Sequence, residues 1–323
     1  MKRTSLLIGS ILVVGMVAIA GIGATAYLFS PKDTAAQKQK VVIKKGDTLI
    51  KVATQLEASG IVRTAWSLRI AAKVGAPTTI HPGTYELSAS MNPRQILETL
   101  STEPEEAWVT FLEGWRVEEY AQELEKNFPE TFNAQEFLAL AKEKEGRLFP
   151  DTYLLERDVS TPMLISLLSN TFDKRYAQAV EGGINDSVLS QQQLIILASL
   201  LEREARGEEA MKMVAGILLN RLRIGMPLQV DATLQYAKGY DNKSQTWWPT
   251  PRSEDKSIDS PFNTYKNNGL PPSAICNPGL EALKAVLSPT KSNYLYYISD
   301  TKGKMHYAAT YPEHQKNIEI YLK

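Results

Sequence analysis

The chain has 323 residues, long enough for two or three domains with a sizeable core. Lys and Arg together number 36, as do Asp and Glu, so there is no global basic field to attract nucleic acid. A single cysteine, Cys276, excludes an internal disulfide, and three scattered histidines without an HExxH or CxxC pair argue against a zinc or iron site. The thiol of Cys276 reads as a small packed residue, and no cofactor is implied.

Lys2 and Arg3 precede a stretch, Thr4 to Ser30, that carries no charge and is rich in Leu, Ile, Val, Ala and Gly. About 20 apolar residues cross a bilayer, so residues 5–29 are expected to form a single-pass transmembrane helix. Positive charge ahead of the span keeps residues 1–4 in the cytoplasm and sends the rest across. Ala24-Thr25-Ala26 has the form of a signal-peptide cleavage site, but the run exceeds the ~7–15 residues of a signal-peptide core, which favours a retained anchor. Residues 30–40 are polar and read as a linker.

Val41-Val42-Ile43 predicts a strand, Gly46-Asp47 a turn, and Thr48 the cap of a helix with Leu49, Val52, Ala53 and Leu56 on its apolar face. Gly83–Leu87 predicts another strand, and Asn92 caps a helix that opens with Pro93. The segment from Val41 aligns without a gap with the segment from Val109, at an offset of 68 residues, Gly46 meeting Gly114 and Leu56 meeting Leu124. The alignment predicts two small α/β units in series, at 41–102 and 103–187, of a kind that binds or positions. Residues 188–323 read as a separate, mainly helical domain with some strand near Tyr294 to Ser299, so the fold class is α+β.

Within that last domain, Ser190 caps a helix predicted over Gln191 to Arg206, ended by Gly207. Seven of the ten residues from Gln192 to Leu201 are apolar, so most of its circumference is expected to be buried. Glu202 stacks beyond Ala198 and Ile195 on one face, where partial shielding raises a carboxyl pKa and suits a general acid. From the helix alone, Glu202 and Glu204 read equally well as polar residues pairing with Arg203 and Arg206. A second helix, Glu208 to Arg223, carries Asn220 near its end, placed either to reach a ligand or to cap a neighbouring carbonyl. Beyond it runs a long polar and aromatic stretch with Gln229, Asp231, Trp247, Trp248, Asn263, Tyr265 and Asn277. Flat aromatic faces beside amides and carboxylates suit sugars, although the two tryptophans serve equally to pack the loop onto the body.

Several of these segments together resemble the YceG-like (MltG) family of membrane-bound endolytic lytic transglycosylases. The resemblance rests on ASLLERE from Ala198, LLNRLRIGMPLQ from Leu218, SPFNTYKNNGLPPSAICNPG from Ser260 and YLYYISDTKGKMHYAATYPEH from Tyr294, with weaker support from GRLFPDTY and a LysM-like unit after Val41. It implies that Glu202 protonates the bond between N-acetylmuramic acid and N-acetylglucosamine, then assists the muramic 6-hydroxyl in forming a 1,6-anhydro end. It implies an inner-membrane protein facing the periplasm, acting on peptidoglycan strands near the peptidoglycan synthases and terminating nascent strands. Substrate contacts are expected from Asn220, Gln229, Asp231, Asn263, Tyr265 and Asn277. The chain departs from the family pattern at Ala232, at Phe262 and at Ala308, where a serine is usual. Two other readings stand beside this one: a water-adding muramidase with Asp231 or Glu204 as partner carboxylate, and a non-catalytic wall-binding scaffold.

Overall fold

The computed structural model describes residues 23, 26–44, 46–102, 104, 106–181 and 189–322. The predicted transmembrane span at 5–29 lies almost wholly outside the described residues, among which no helix is long and apolar enough to cross a membrane. The fold is α+β, and the chain forms two compact units, one of residues 1–109 with 153–157 and the other of residues 110–152 with 158–323.

In the first unit, β1 (Gln39–Ile43), β2 (Gly83–Leu87), β3 (Glu106–Thr110) and β4 (Thr152–Glu156) form one sheet in the order β1-β2-β3-β4. β1 runs antiparallel to β2 with Val41 opposite Tyr85, and β2 runs antiparallel to β3. Helices α1 (Leu49–Ala58), α2 (Ala65–Lys73) and α3 (Pro93–Ser101) complete it. Thr48 caps α1 and Asn92 caps α3, as the sequence predicts, and the structure adds a reciprocal box between Asn92 and Gln95. The core joins Ile43, Val52, Leu56, Leu68, Leu87 and Ile96, all essentially inaccessible. Residues 30–40, expected as a linker, are tied to the first unit: Arg63 donates to the Pro31 carbonyl at 2.8 Å, Ser88 Oγ to the Ala36 carbonyl at 2.7 Å, and Phe29 packs against the core. Composition misses this because the tethers are backbone carbonyls, which every residue carries.

Both aligned segments take the same local form. Gly46 and Gly114 sit at φ 87° and 77°, a region costly for residues with a Cβ, and each turns the chain from a strand into a helix. The second copy does not fold as a unit of its own. Its strand, β3, shares the sheet of β1, while Gly114 and α4 (Val117–Asn127) belong to the second unit. The compact units therefore divide the chain differently from the predicted segments 41–102, 103–187 and 188–323. The physical reason is a shared core: Phe149, Phe172 and Ala179 join one buried cluster with Leu194, Leu197, Val214 and Leu283.

The second unit is mainly helical, with α5 (Ala134–Ala141), α6 (Thr161–Glu181), α7 (Gln191–Glu204), α8 (Glu208–Arg223), α9 (Asp231–Lys238) and α10 (Leu280–Leu287). A hairpin of β5 (Tyr296–Ser299) and β6 (Met305–Ala308) precedes the terminal α11 (Tyr311–Tyr321). Every residue of α7 from Leu194 to Leu201 is buried, and the helix packs against α8 and α10. It ends two residues earlier than predicted, because Ala205 turns extended while its N–H still bonds the Leu201 carbonyl. Gly207, expected to end α7, instead begins α8 as its N-cap at φ 80°.

Candidate active site

Glu202 lies in the last turn of α7, partly buried. Its Oε2 accepts a 2.9 Å hydrogen bond from the backbone N–H of Gly279, the N-cap of α10, where the helix dipole favours a carboxylate. Gly279 leaves room for a close approach: a Cβ there would lie 1.9 Å from Glu113 Oε1 and 2.2 Å from Glu113 Cδ, so a larger residue would push that side chain aside. Thus a second carboxyl rests on the residue that holds the first. A Cβ on Gly114 would likewise touch Glu202 Cγ at 3.4 Å and Arg203 Nη1 at 3.2 Å. The glycine turn of the second repeat copy is therefore a wall of the Glu202 site. Burial pushes the Glu202 carboxyl up to about 7 against the lowering bond from Gly279, with Glu113 and Glu281 adding to the rise and Arg203 opposing it. Burial and the Glu281 charge also raise Glu113.

Arg203 is fixed by stacking at 4.0 Å over the Trp248 ring. Trp248 Nε1 in turn donates to Glu119 Oε2 at 2.8 Å. Arg116 is stacked at 4.2 Å over Tyr236 and 4.7 Å over Trp247 and pairs with Glu118 at 2.6 Å. Burial alone would raise Glu118, but Arg116 and Lys142 together pull it down to about 2. Each tryptophan thus has a guanidinium over its ring, so Trp247 and Trp248 fasten the loop to α7 and to the start of α4.

Glu204 points elsewhere, since positions two apart on a helix lie roughly 200° around its axis. Its Oε2 accepts from the Tyr297 hydroxyl at 2.8 Å. Burial pushes its carboxyl up to about 7, with the Tyr297 bond lowering it and the Asp231 charge adding to the rise. Tyr265 donates its hydroxyl to Asp231 at 2.6 Å, so Glu204, Asp231, Tyr265 and Tyr297 form one group. Asp231 and Gln229 are exposed. Gln229 is held at φ 52°, an uncommon conformation for a residue with a side chain, by a backbone bond to the Thr264 carbonyl.

The three predicted asparagines are engaged internally. Asn277 is inaccessible: its Oδ1 accepts from the N–H groups of Gly146 and Leu148 at 2.9 and 3.0 Å, and its Nδ2 donates to Glu145. Asn263, also inaccessible, donates to the carbonyls of Lys256 and Ile258. Asn220 donates to the Ser292 and Tyr294 carbonyls, which hold the start of the β-hairpin. Residue-type reasoning passed over Glu113, Glu145 and Gly279. Glu145 is buried, accepts from the Val117 N–H, and is pushed up to about 8 by burial. Gly279 was visible only as the end of the quoted Asn277-Pro278-Gly279 run, and Glu113 as the residue before the repeat's glycine. Among the described residues, no group of three or more His, Cys, Asp or Glu is arranged to hold a metal ion.

The family model described as the YceG-like family matches residues 41–320. The chain belongs to the YceG-like family. A curated relative, the endolytic murein transglycosylase of Streptococcus pneumoniae serotype 2 strain D39, is 30% identical over 89% of this chain and 59% of its own length. The endolytic murein transglycosylase of Bacillus subtilis strain 168 is 34% identical over 64% of this chain and 56% of its own. This YceG-like chain therefore spans less than two thirds of the length of those relatives. A crystal structure of a putative YceG-like protein from Listeria monocytogenes superposes with a TM-score of 0.62 at 29% identity, covering 87% of this chain and 98% of that one.

Proposed function

We propose that this chain is an endolytic lytic transglycosylase that cuts peptidoglycan strands between N-acetylmuramic acid and N-acetylglucosamine, with Glu202 as its acid and base. The observation that carries the reading is the Glu202 carboxyl itself, part-buried, poised at about 7, and held by one backbone N–H in a site walled by Gly114. Protonated, it gives its proton to the glycosidic oxygen as the bond to the muramic anomeric carbon breaks. The resulting carboxylate then takes the proton of the muramic 6-hydroxyl as that oxygen bonds to the anomeric carbon. The proton count closes, no water is consumed, and a 1,6-anhydro end forms. The relatives named endolytic murein transglycosylase support this reaction.

Glu204 has a similar acidity but is bound to Tyr297 and is the more deeply enclosed of the two carboxyls. Gln229 and Asp231 remain the predicted contacts open to solvent, and the first unit, read as LysM-like, serves to position the strand. We place the protein on the extracytoplasmic face of the inner membrane, held by residues 5–29 beside the synthases whose nascent strands it ends. Mass spectrometry of purified sacculi after incubation tests the reaction. Anhydro ends that vanish with Glu202→Gln support it, reducing ends point to a muramidase, and intact sacculi with the wild-type protein point to a scaffold.

A further inference from the structure

We propose that the outer face of α2 in the first unit is a membrane-contact surface that lies on anionic phospholipid headgroups; this rests on the reading of residues 5–29 as an anchor. α2 buries Ser67, Leu68 and Ala71. The opposite face carries Trp66, 59% exposed, with Arg69, Ile70 and Lys73 at helical spacing beside it. A large exposed aromatic among cations, on a helix with an apolar inner face, suits an interface between hydrocarbon and water. The Arg69 guanidinium lies 4.1 Å over the Trp66 ring, so charge and aromatic surface are presented together. No acidic residue occurs from Ala58 to Tyr85, while Arg63, Arg69 and Lys73 fall within that stretch. The acid nearest the helix, Glu57, is engaged at its start by the Ala65 N–H.

The end of the apolar segment meets this face. Arg63, three residues before Trp66, stacks at 4.5 Å over the Tyr27 ring, bonds its hydroxyl at 3.3 Å and holds the Pro31 carbonyl at 2.8 Å. Three residues span at most about 11 Å, so the backbone of Trp66 lies within that distance of the backbone of Arg63, whose guanidinium makes the contact with the chain emerging from the uncharged run. With residues 30–40 tied to the first unit, and Tyr27 and Phe29 at the end of the proposed anchor held against that unit, the anchor leaves the bilayer beside α2. The partner is therefore the lipid surface, and negative headgroups complement the three cations.

The test uses the full chain in phosphatidylcholine vesicles with and without phosphatidylglycerol, carrying an NBD fluorophore at Trp66→Cys. Cys276 is fully buried and does not compete for the label. Val74→Cys, at a residue 66% exposed just beyond α2, is the second labelling position. The expected result is quenching by doxyl-labelled lipid, as for a group about 5–10 Å into the boundary, with protection from aqueous iodide. Phosphatidylglycerol should strengthen the quenching, and Arg69→Gln with Lys73→Gln should reduce it severalfold. Label at both positions quenched by iodide alone, or protected by glycan fragments and not by lipid, overturns the proposal. Failure of the chain to float with vesicles sinks the anchor reading and this inference with it. Flotation with a water-exposed label sinks the inference alone.

Discussion

Glu113 rests on Gly279, and the N–H of that same Gly279 bonds Glu202 at 2.9 Å. One backbone position therefore links the proposed acid to a second carboxyl contributed by the turn between β3 and α4. Because a Cβ at 279 would fall 1.9 Å from Glu113 Oε1, the arrangement exists only with glycine there or with Glu113 displaced. Gly279→Ala is expected to push the flexible Glu113 carboxyl aside and cost about 1 kcal/mol, the low end for overpacking. Glu113→Ala should recover most of that loss in the double variant. Urea midpoints for the cycle check the coupling, and simple additivity would show that the two residues do not share this space.

Glu202→Gln should lower the rate of anhydro-end formation by about 10²–10⁴-fold, the usual contribution of a general acid, while the urea midpoint at neutral pH holds or rises, because the amide mimics the protonated carboxyl that burial favours. Glu204→Gln keeps an oxygen for the Tyr297 hydroxyl and should retain most of the activity. Rates on purified sacculi decide between the two carboxyls, and equal losses would count against assigning Glu202 alone.

Asn277→Ala leaves the buried N–H groups of Gly146 and Leu148 without their acceptor. At about 1–3 kcal/mol for each unsatisfied buried group, the loss should reach about 3 kcal/mol or more by urea denaturation. If Asn277 instead acts mainly through substrate, stability will hold while KM rises.

Stability should fall as pH rises from about 4.5 to about 8. Glu202 and Glu204 titrate at about 7 and Glu145 at about 8 in the folded protein, against 4.5 ordinarily. The folded state thus binds these protons more tightly than the unfolded chain. That stabilisation is complete below about 4.5 and is lost as pH climbs through the folded values. Glu118, at about 2, has the opposite sign: its contribution is present above 4.5 and disappears as pH falls toward 2. Urea midpoints across pH follow both limbs, and Glu145→Gln should flatten the alkaline one. Activity should fall above about pH 7 as Glu202 loses its proton.

Local structure was legible wherever neighbouring residues decide it. Ser190, Asn92 and Thr48 cap the helices their hydroxyls and amides predict, and apolar spacing marks the buried run of α7 because helix period and side-chain chemistry are properties of adjacent residues. The repeated strand–glycine–helix pattern was legible for the same reason, but its division between the two compact units was not. That division follows from which distant apolar surfaces Phe149, Phe172 and Ala179 find.

By itself, the sequence determined that α7 is buried, that Glu202 stands at its end, and which family motifs surround it. Only the tertiary structure decided that Gly114, Glu113 and Gly279 converge on Glu202, that Glu204 joins Tyr297 instead, and that Asn263 and Asn277 are internal struts. Apart from Asn263, whose carbonyl partners lie 5 and 7 residues away, those outcomes depend on contacts between residues 77 to 166 positions apart in the chain. Whether a polar side chain meets solvent or a buried backbone group is settled only when such segments pack, since the same amide serves either partner.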